Sequence, residues 1–331
     1  MNAEPAWIDP KPLALPDSGH VVPSTARIPE WADLPATSVS SARQDALPRP
    51  HPTNPKSSAR VGDRRMTTEM SAKIPRLFQE DAVLEQLREP VLRTAAAQRA
   101  RFHFQTVNGV TSSSAPDFDV PSGEVLQCVR RIGSYQGAEH RGGLFACLRD
   151  GTALALPYES ILERSWLMTF DHRREVVWQQ TQPFVITWHV DDRGLYRVPD
   201  VLLRTRQGWV VVDVKPQSRL AESPYTQAVY ALTRDTLARA GVAYAVVGDV
   251  SHTRKRQLEA ISRWRVVGPR LAACADQILR ERPGTLGGIF DAVGDPNAGH
   301  VVALHLMSLG VLVVDLDAPL TIATATAWVV L

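Results

Sequence analysis

Arg197-Val198-Pro199-Asp200-Val201-Leu202-Leu203-Arg204-Thr205-Arg206-Gln207-Gly208-Trp209-Val210-Val211-Val212-Asp213-Val214-Lys215 is the stretch whose reading decides the fold. Two runs rich in Val and Leu flank Gln207-Gly208, and glycine supplies the positive φ that a tight hairpin turn needs. With Gln207-Gly208 as the loop, Arg206 faces Trp209, Leu202 faces Asp213 and Asp200 faces Lys215. Side chains alternate between the two faces of a strand, so Asp200, Asp213 and Lys215 share one face. The other face collects Val201, Leu203, Val210, Val212 and Val214, an apolar set fit for a core. A one-residue slip of register would part Asp200 from the other two, whereas a two-residue slip keeps the three together. On an arbitrary hairpin such a trio is a solvated face carrying a salt bridge.

Composition bounds the setting. A chain of 331 residues, 44% of them hydrophobic, has room for one large or two modest domains and a tail. The net charge of +2 provides no global basic field, so contact with nucleic acid has to come from local patches. Cys128, Cys147 and Cys274 form neither a CxxC pair nor a metal-ligand spacing, which predicts reduced thiols and a cytoplasmic location. No apolar run approaches the about 20 residues of a spanning helix. The start of the chain lacks a basic region followed by an apolar one, so neither a membrane span nor a secretion signal is expected.

Along the chain, eleven of the 24 prolines fall between Pro5 and Pro55, amid Ser, Ala and Thr. Such a segment buries too little surface to offset its ordering entropy, so residues 1–75 are expected to be a disordered tail. Residues 76–124 read as a helical or linker segment, its helix interrupted at Pro90. An α/β unit is expected over 125–252: strands at 125–132, 142–148 and 153–156, then a helix opened by Pro157 and running to 170. A strand at 184–188, the hairpin, a helix after Ser223-Pro224 and a strand at 242–247 follow. Ile161, Leu162, Trp166 and Phe170 form the core stripe of the first of these helices. This order predicts a mixed sheet flanked by helices. In residues 253–331, helices near 254–264, 270–281 and 298–309 surround a shorter segment at 286–293. Two strands follow, and the order predicts a winged-helix-like module.

The order Pro199-Asp200, a short turn, then Asp213-Val214-Lys215 resembles the PD-(D/E)xK nucleases. The likeness narrows when neighbours are added. Tyr158-Glu159-Ser160-x-Leu162-Glu163-Arg164, Asp171, Gln182-Pro183, Pro199-Asp200 and Asp213-Val214-Lys215-Pro216, in that order, resemble the TnsA-type endonucleases, the nuclease subunits of heteromeric transposases. The resemblance covers residues 129–250, with a weaker likeness at 312–320. It implies a restriction-endonuclease-like fold and metal-dependent cutting of DNA at transposon ends. The partners it implies are a strand-transfer subunit and an ATPase regulator.

Carried over residue by residue, the family's helix acid falls on Glu163, its second and third acids on Asp200 and Asp213, and its lysine on Lys215. Glu159, one helical turn earlier, is the rival to Glu163. Gln182 holds the family's Gln-Pro position, as a supporting residue or as a partner for backbone groups. Arg164 pairs with Glu159 or Asp171, or else touches phosphate. The chemistry needs these residue types, because phosphodiester hydrolysis requires neutralised phosphoryl oxygens and an activated, in-line water. Mg²⁺, with Mn²⁺ as its substitute, takes hard oxygen ligands: Asp200, Asp213, the Val214 carbonyl and Glu163. Lys215 would orient the water or stabilise the phosphorane.

His172, His189, His252, His300 and His305 show no zinc spacing, and no P-loop occurs in the chain. Arg254-Lys255-Arg256, with Arg263 and Arg265 around Trp264, is either a solvated helix face or a strip that contacts DNA phosphates. Two other readings compete: a stand-alone PD-(D/E)xK nuclease of restriction or repair, and a catalytically silent DNA-binding adaptor.

Overall fold

The computed structural model describes residues 66–67, 69–70, 86–121, 126–130, 142–149, 152–190, 193–220 and 224–329. The expected tail lies outside these residues except at its end. There Met66 bridges to Arg130 and Met70 is fully buried beside Val129, Val185 and Val198, so this part of the tail belongs to the fold.

Helix α1 (Pro90–Gln98) begins at Pro90, because a proline at the first helical position loses no intrahelical hydrogen bond. Strands β1 (Arg101–Thr106) and β2 (Gly109–Ser114) form a hairpin where a linker was expected. Asn108-Gly109 is the signal that announces it. β1 also pairs with β3 (Leu126–Gln127) and β7 (Phe184–Val190), and β7 pairs with β8 (Arg193–Arg197), all antiparallel. A second sheet runs β11 (Ala243–Val247), β10 (Gly208–Val214), β9 (Val201–Thr205), β6 (Val176–Thr181). In it only β10 and β11 are parallel, joined through α3 (Gln217–Leu220) and α4 (Pro224–Arg239). The hairpin β4 (Gly143–Arg149) and β5 (Thr152–Tyr158) stands apart. Pro157 lies inside β5, and α2 (Ile161–Asp171) starts at its N-cap Ser160, not at the proline. The architecture is therefore α/β, with antiparallel and mixed sheets flanked by helices.

The central hairpin closes two residues away from the expected register: Gly208 faces Thr205 and Val212 faces Val201. Thr205 sets the turn. Its hydroxyl donates to the Gly208 carbonyl at 2.9 Å and accepts from the Gln207 amide at 3.2 Å, leaving Arg206-Gln207 as the loop. Gly208, at φ 135°, carries the strained conformation just beyond it. β1 and β2 turn in the same way, with Thr106 bonded to Gly109 and Asn108, and Gly109 at φ 124°.

The valine face packs as expected. Val201, Leu203, Val210, Val212 and Val214 meet Trp166, Leu167, Met168 and Phe170 of α2. The opposite face is also covered, since Leu202, Val211, Tyr244 and Val246 share a core with Phe102, Phe184 and Trp188 of the first sheet. Polar side chains are thereby confined to the end of the hairpin.

Beyond β11 come α5 (His252–Ile261), a 3₁₀ turn (Ser262–Trp264), α6 (Pro269–Glu281), α7 (Leu286–Val293) and α8 (Pro296–Ser308). The antiparallel pair β12 (Leu312–Val313) and β13 (Ala327–Trp328) ends the described chain. These elements share a core built on Ile278, Ile289, Val302 and Leu306. No helix among the described residues is long and apolar enough to cross a membrane. The α7–α8 contact depends on Gly299, where an added Cβ would lie 2.7 Å from the Phe290 Cα. Gly299→Ala should therefore lower stability by about 1–3 kcal/mol, as overpacking does. Gly284→Ala, with nothing within 4 Å of its Cβ, should stay within about 0.5 kcal/mol. Urea unfolding of the two variants is the check.

Candidate active site

The site grows from the place where β9 and β10 part. β9 pairing ends at Val201, because Pro199 has no N–H with which to extend the ladder. The Asp200 carboxylate replaces the missing main-chain partner and accepts the Val214 amide at 2.7 Å. The Asp200 amide donates in turn to the Asp213 carboxylate at 3.4 Å. On the other side of β10, the Lys215 amide continues the parallel ladder to the Val247 carbonyl at 2.9 Å. Asp200 thus stands opposite Asp213, not opposite Lys215 as the expected turn would have it. The two-residue shift preserves the shared face.

Asp213 is fully buried, and its carboxylate is already engaged. Arg197, the last residue of β8, reaches it from the first sheet at 2.7 Å, and the Tyr244 hydroxyl of β11 donates to the same oxygen. The Arg197 guanidinium lies 4.3 Å from the Tyr230 ring centroid, a cation–π contact that holds it in place. Burial alone would depress the Arg197 pKa, but the Asp213 charge reverses the sign and holds it well above its ordinary value. Burial and the Asp213 charge push the Tyr244 hydroxyl well up, so it stays protonated and donates. Sequence reasoning missed Arg197, Tyr230 and Tyr244. A tyrosine inside an apolar strand does signal that its hydroxyl needs a partner.

Glu163 occupies the third position of α2 and closes a capping box, because helix N-termini leave amides unpaired. Its amide donates to the Ser160 hydroxyl at 3.1 Å. Its carboxylate accepts the Glu159 amide at 2.8 Å and the Ser160 hydroxyl at 3.1 Å. The Ser160-x-x-Glu163 spacing is the sequence signature of that cap. Burial, reinforced by the nearby Glu159 charge, raises the Glu163 pKa. Asp200 is pushed well above the carboxylate range by burial, then by the charges of Asp213 and Glu163.

The remaining expected residues divide. Gln182 joins the site: its amide donates to the Asp200 carbonyl at 2.9 Å, and its backbone is held at φ 38°, where side chains are rarely found. The side-chain oxygen of Gln182 accepts from the Cys128 thiol at 2.9 Å. Glu159 pairs with Arg130 at 3.3 Å. Arg164 pairs with neither Glu159 nor Asp171 but with Glu259 of α5 at 2.9 Å, while Asp171 is held by Arg265 at 2.7 Å. Arg254 is no surface residue. It is buried and forms an ion pair with Asp317 at 2.7 Å, which removes it from any DNA-facing strip. Lys255 is half-buried and Arg256 exposed.

Among the described residues no group of three or more His, Cys, Asp and Glu side chains is spaced to hold a metal ion. The donor chemistry explains this. Asp213 does not fit the ligand role, because its oxygens already face a guanidinium, a phenol and an amide. Among the described residues Glu163 and Asp200 hold only neutral donors, the Glu159 amide and Ser160 hydroxyl on one and the Val214 amide on the other, so neither is already paired with a cation. Burial disfavours the charged form of both, the Glu163 charge adds to this at Asp200, and a divalent cation would relieve it. Two carboxylates, with waters and substrate oxygens, suffice for Mg²⁺.

The Arg254–Asp317 pair yields a pH test. Burial alone would raise the Asp317 pKa, but Arg254 and Ser251 outweigh it and lower it. The stabilisation is therefore complete above the unfolded carboxylate value of about 3.9 and is lost as pH falls through the lower folded value. Asp317→Asn should cost on the order of 1–3 kcal/mol at pH 7, and the difference should vanish below that lower value. Urea midpoints measured across that range decide it.

The chain matches no protein-family model and no curated protein, so its chemistry is read from the arrangement of Glu163, Asp200, Asp213, Lys215 and Arg197.

Proposed function

We propose that this chain is a DNA endonuclease with a restriction-endonuclease-like core, acting as the cutting subunit of a heteromeric transposase. One observation carries the reading. Leaving out β7 and β8, which pass into the first sheet between β6 and β9, and the short α3, the elements α2-β6-β9-β10-α4-β11, with the sheet arranged β11-β10-β9-β6, are helix, three antiparallel strands, crossover helix and parallel strand. It brings the Asp200 and Asp213 positions together at one end of the sheet, where the PD-(D/E)xK resemblance expects its acids. The transposase setting, with a strand-transfer subunit and an ATPase regulator as partners, rests on the motif order alone. The C-terminal elements support the winged-helix-like expectation: α6, the Thr285–Ala325 bridge, α7, α8 and the β12–β13 hairpin follow that order. In this module α8 is buried from Val302 to Ser308, which favours a docking role over insertion into a DNA groove.

Asp200 and Glu163 would hold Mg²⁺ or Mn²⁺, which supplies charge neutralisation on the phosphoryl oxygens and a more acidic water. Lys215, which makes no ion pair among the described residues, offers its ammonium to the phosphate or to the attacking water. Asp200 is oriented by the Val214 amide, and its own amide is fixed by Asp213.

The reading makes a direct prediction. Lys215→Ala and Asp200→Ala should each reduce cleavage by at least about 100-fold, with the fold kept, as loss of an electrostatic stabiliser does. The assay is cutting of a DNA fragment bearing transposon ends, with Mg²⁺ and with or without the partner subunits. With a net charge of +2, the chain alone should bind and cut poorly. Vigorous partner-independent digestion of arbitrary DNA would favour the stand-alone nuclease. No cutting under any condition would favour the catalytically silent DNA-binding adaptor, a reading the occupied Asp213 carboxylate also favours.

A further inference from the structure

We infer that Gln182 is a positioning residue that acts through its main chain: held at positive φ, it fixes the Asp200 carbonyl and thereby aims the Asp200 carboxylate at the Val214 amide. The inference rests on the nuclease reading and deepens it by naming what orients the acid at the end of the hairpin.

Three observations lead there. First, Gln182 has a backbone that its local sequence disfavours. The residue before a proline is pushed toward extended geometry, with φ at about −120°. Gln182 precedes Pro183 and lies at φ 38°. Among the described residues Arg282 alone shares a positive φ outside glycine, and it caps the C-terminus of α6, an ordinary place for that conformation. Gln182 ends no helix; it joins β6 to β7. Such a backbone persists only where the surroundings over-determine it.

Second, the surroundings do so. A run of main-chain bonds crosses four segments of the chain. The Thr67 amide donates to the Val129 carbonyl at 3.0 Å, the Val129 amide to the Gln182 carbonyl at 3.0 Å, and the Gln182 amide to the Asp200 carbonyl at 2.9 Å. The Cys128 thiol grips the Gln182 side-chain oxygen at 2.9 Å. Val129, Val185 and Val198, on three of these segments, are buried in one cluster with Met66 and Met70. Third, the run ends on the acid. The Asp200 carbonyl is taken by Gln182 and its amide by Asp213 at 3.4 Å, while its carboxylate accepts the Val214 amide at 2.7 Å. With both main-chain groups of Asp200 held, the direction of its carboxylate follows from where Gln182 places the carbonyl. Gln182 itself is 1% exposed and so acts through Asp200, not on a substrate.

The test separates backbone from side chain, because glycine reaches positive φ without steric cost and alanine does not. Hydrogen exchange of the Val214 amide, followed by NMR on the full chain, reads the bond to Asp200 without DNA or metal. The Lys215 amide, bonded to the Val247 carbonyl, is the internal reference, and thermal melting checks folding. Gln182→Ala should speed Val214 exchange at least about tenfold while Lys215 changes less than about threefold. It should also lower kcat for DNA cutting at least about tenfold with KM within about threefold, as misplacement of a reacting group does. Gln182→Gly should rescue it, returning Val214 exchange to within about threefold of the wild type and recovering most of the cutting. If Gln182→Ala does not fold, Cys128→Ala removes the grip from the other end and should speed Val214 exchange in the same selective way. Cys128→Ser, whose hydroxyl still donates, should not. Unchanged Val214 exchange in Gln182→Ala, or a glycine variant as impaired as the alanine one, overturns the inference and leaves the nuclease reading standing. Selective loss of Val214 protection in a chain whose wild type cuts no DNA under any condition overturns the nuclease reading and leaves the positioning of Asp200 standing.

Discussion

An arginine from one sheet and an aspartate from the other meet at 2.7 Å in the interior, and the polar end of the molecule is arranged around that pair. Neither charge is stable there alone. Taking both out of water costs several kcal/mol per ion, and only close geometry with further hydrogen bonds offsets it. Tyr244 supplies one such bond, the Asp200 amide a second, and the Tyr230 ring covers the guanidinium. The pair ties β8 to β10, so the stacking of the two sheets and the position of Asp200 are coupled. Strain is shared at the same spot, where Gln182 adopts a left-handed backbone to present its amide to the Asp200 carbonyl.

The same end of the hairpin shows how a local feature becomes chemistry. Pro199 stops the β9 ladder, and the unpaired Val214 amide is left to the Asp200 carboxylate. That bond favours the ionised carboxylate, whereas burial and two acidic neighbours disfavour it more strongly. The result is a carboxylate short of positive charge at the end of the hairpin. Glu163 serves two purposes at once, closing the N-terminus of α2 and adding negative charge toward Asp200.

The C-terminal elements are fastened to this core by charge as well as by apolar contact. Arg265 reaches Asp171 and Arg164 reaches Glu259, each across more than ninety residues of chain, while Arg254 and Asp317 tie α5 to the segment between β12 and β13. Leu258 of α5 belongs to the valine-face core, and Ile261, one turn later, to the C-terminal core. The arginines that read as a DNA-facing strip are in part the bolts of this junction.

Local pattern alone determined a good deal. Alternation in 201–214 specified which side chains form the valine face, and it held through a two-residue change of register because a strand's period is two. Pro224 and Gly241 bracketed α4, and the helices of 252–308 followed their apolar spacing and caps. Asn108-Gly109 and Ser160-x-x-Glu163 were equally legible, and both name real features, a hairpin and a helix cap. What only the tertiary structure decided is what each charged group meets. Arg197 is sixteen positions from Asp213 in sequence and is brought to it by the stacking of two sheets. Tyr244 arrives through a parallel pairing with no local signature, and Arg254 is buried by a loop more than sixty residues away. Periodicity encodes which face a residue occupies, because that depends on backbone geometry a few residues long. The partner on that face depends on long-range packing, and here the packing gave Asp213 a guanidinium.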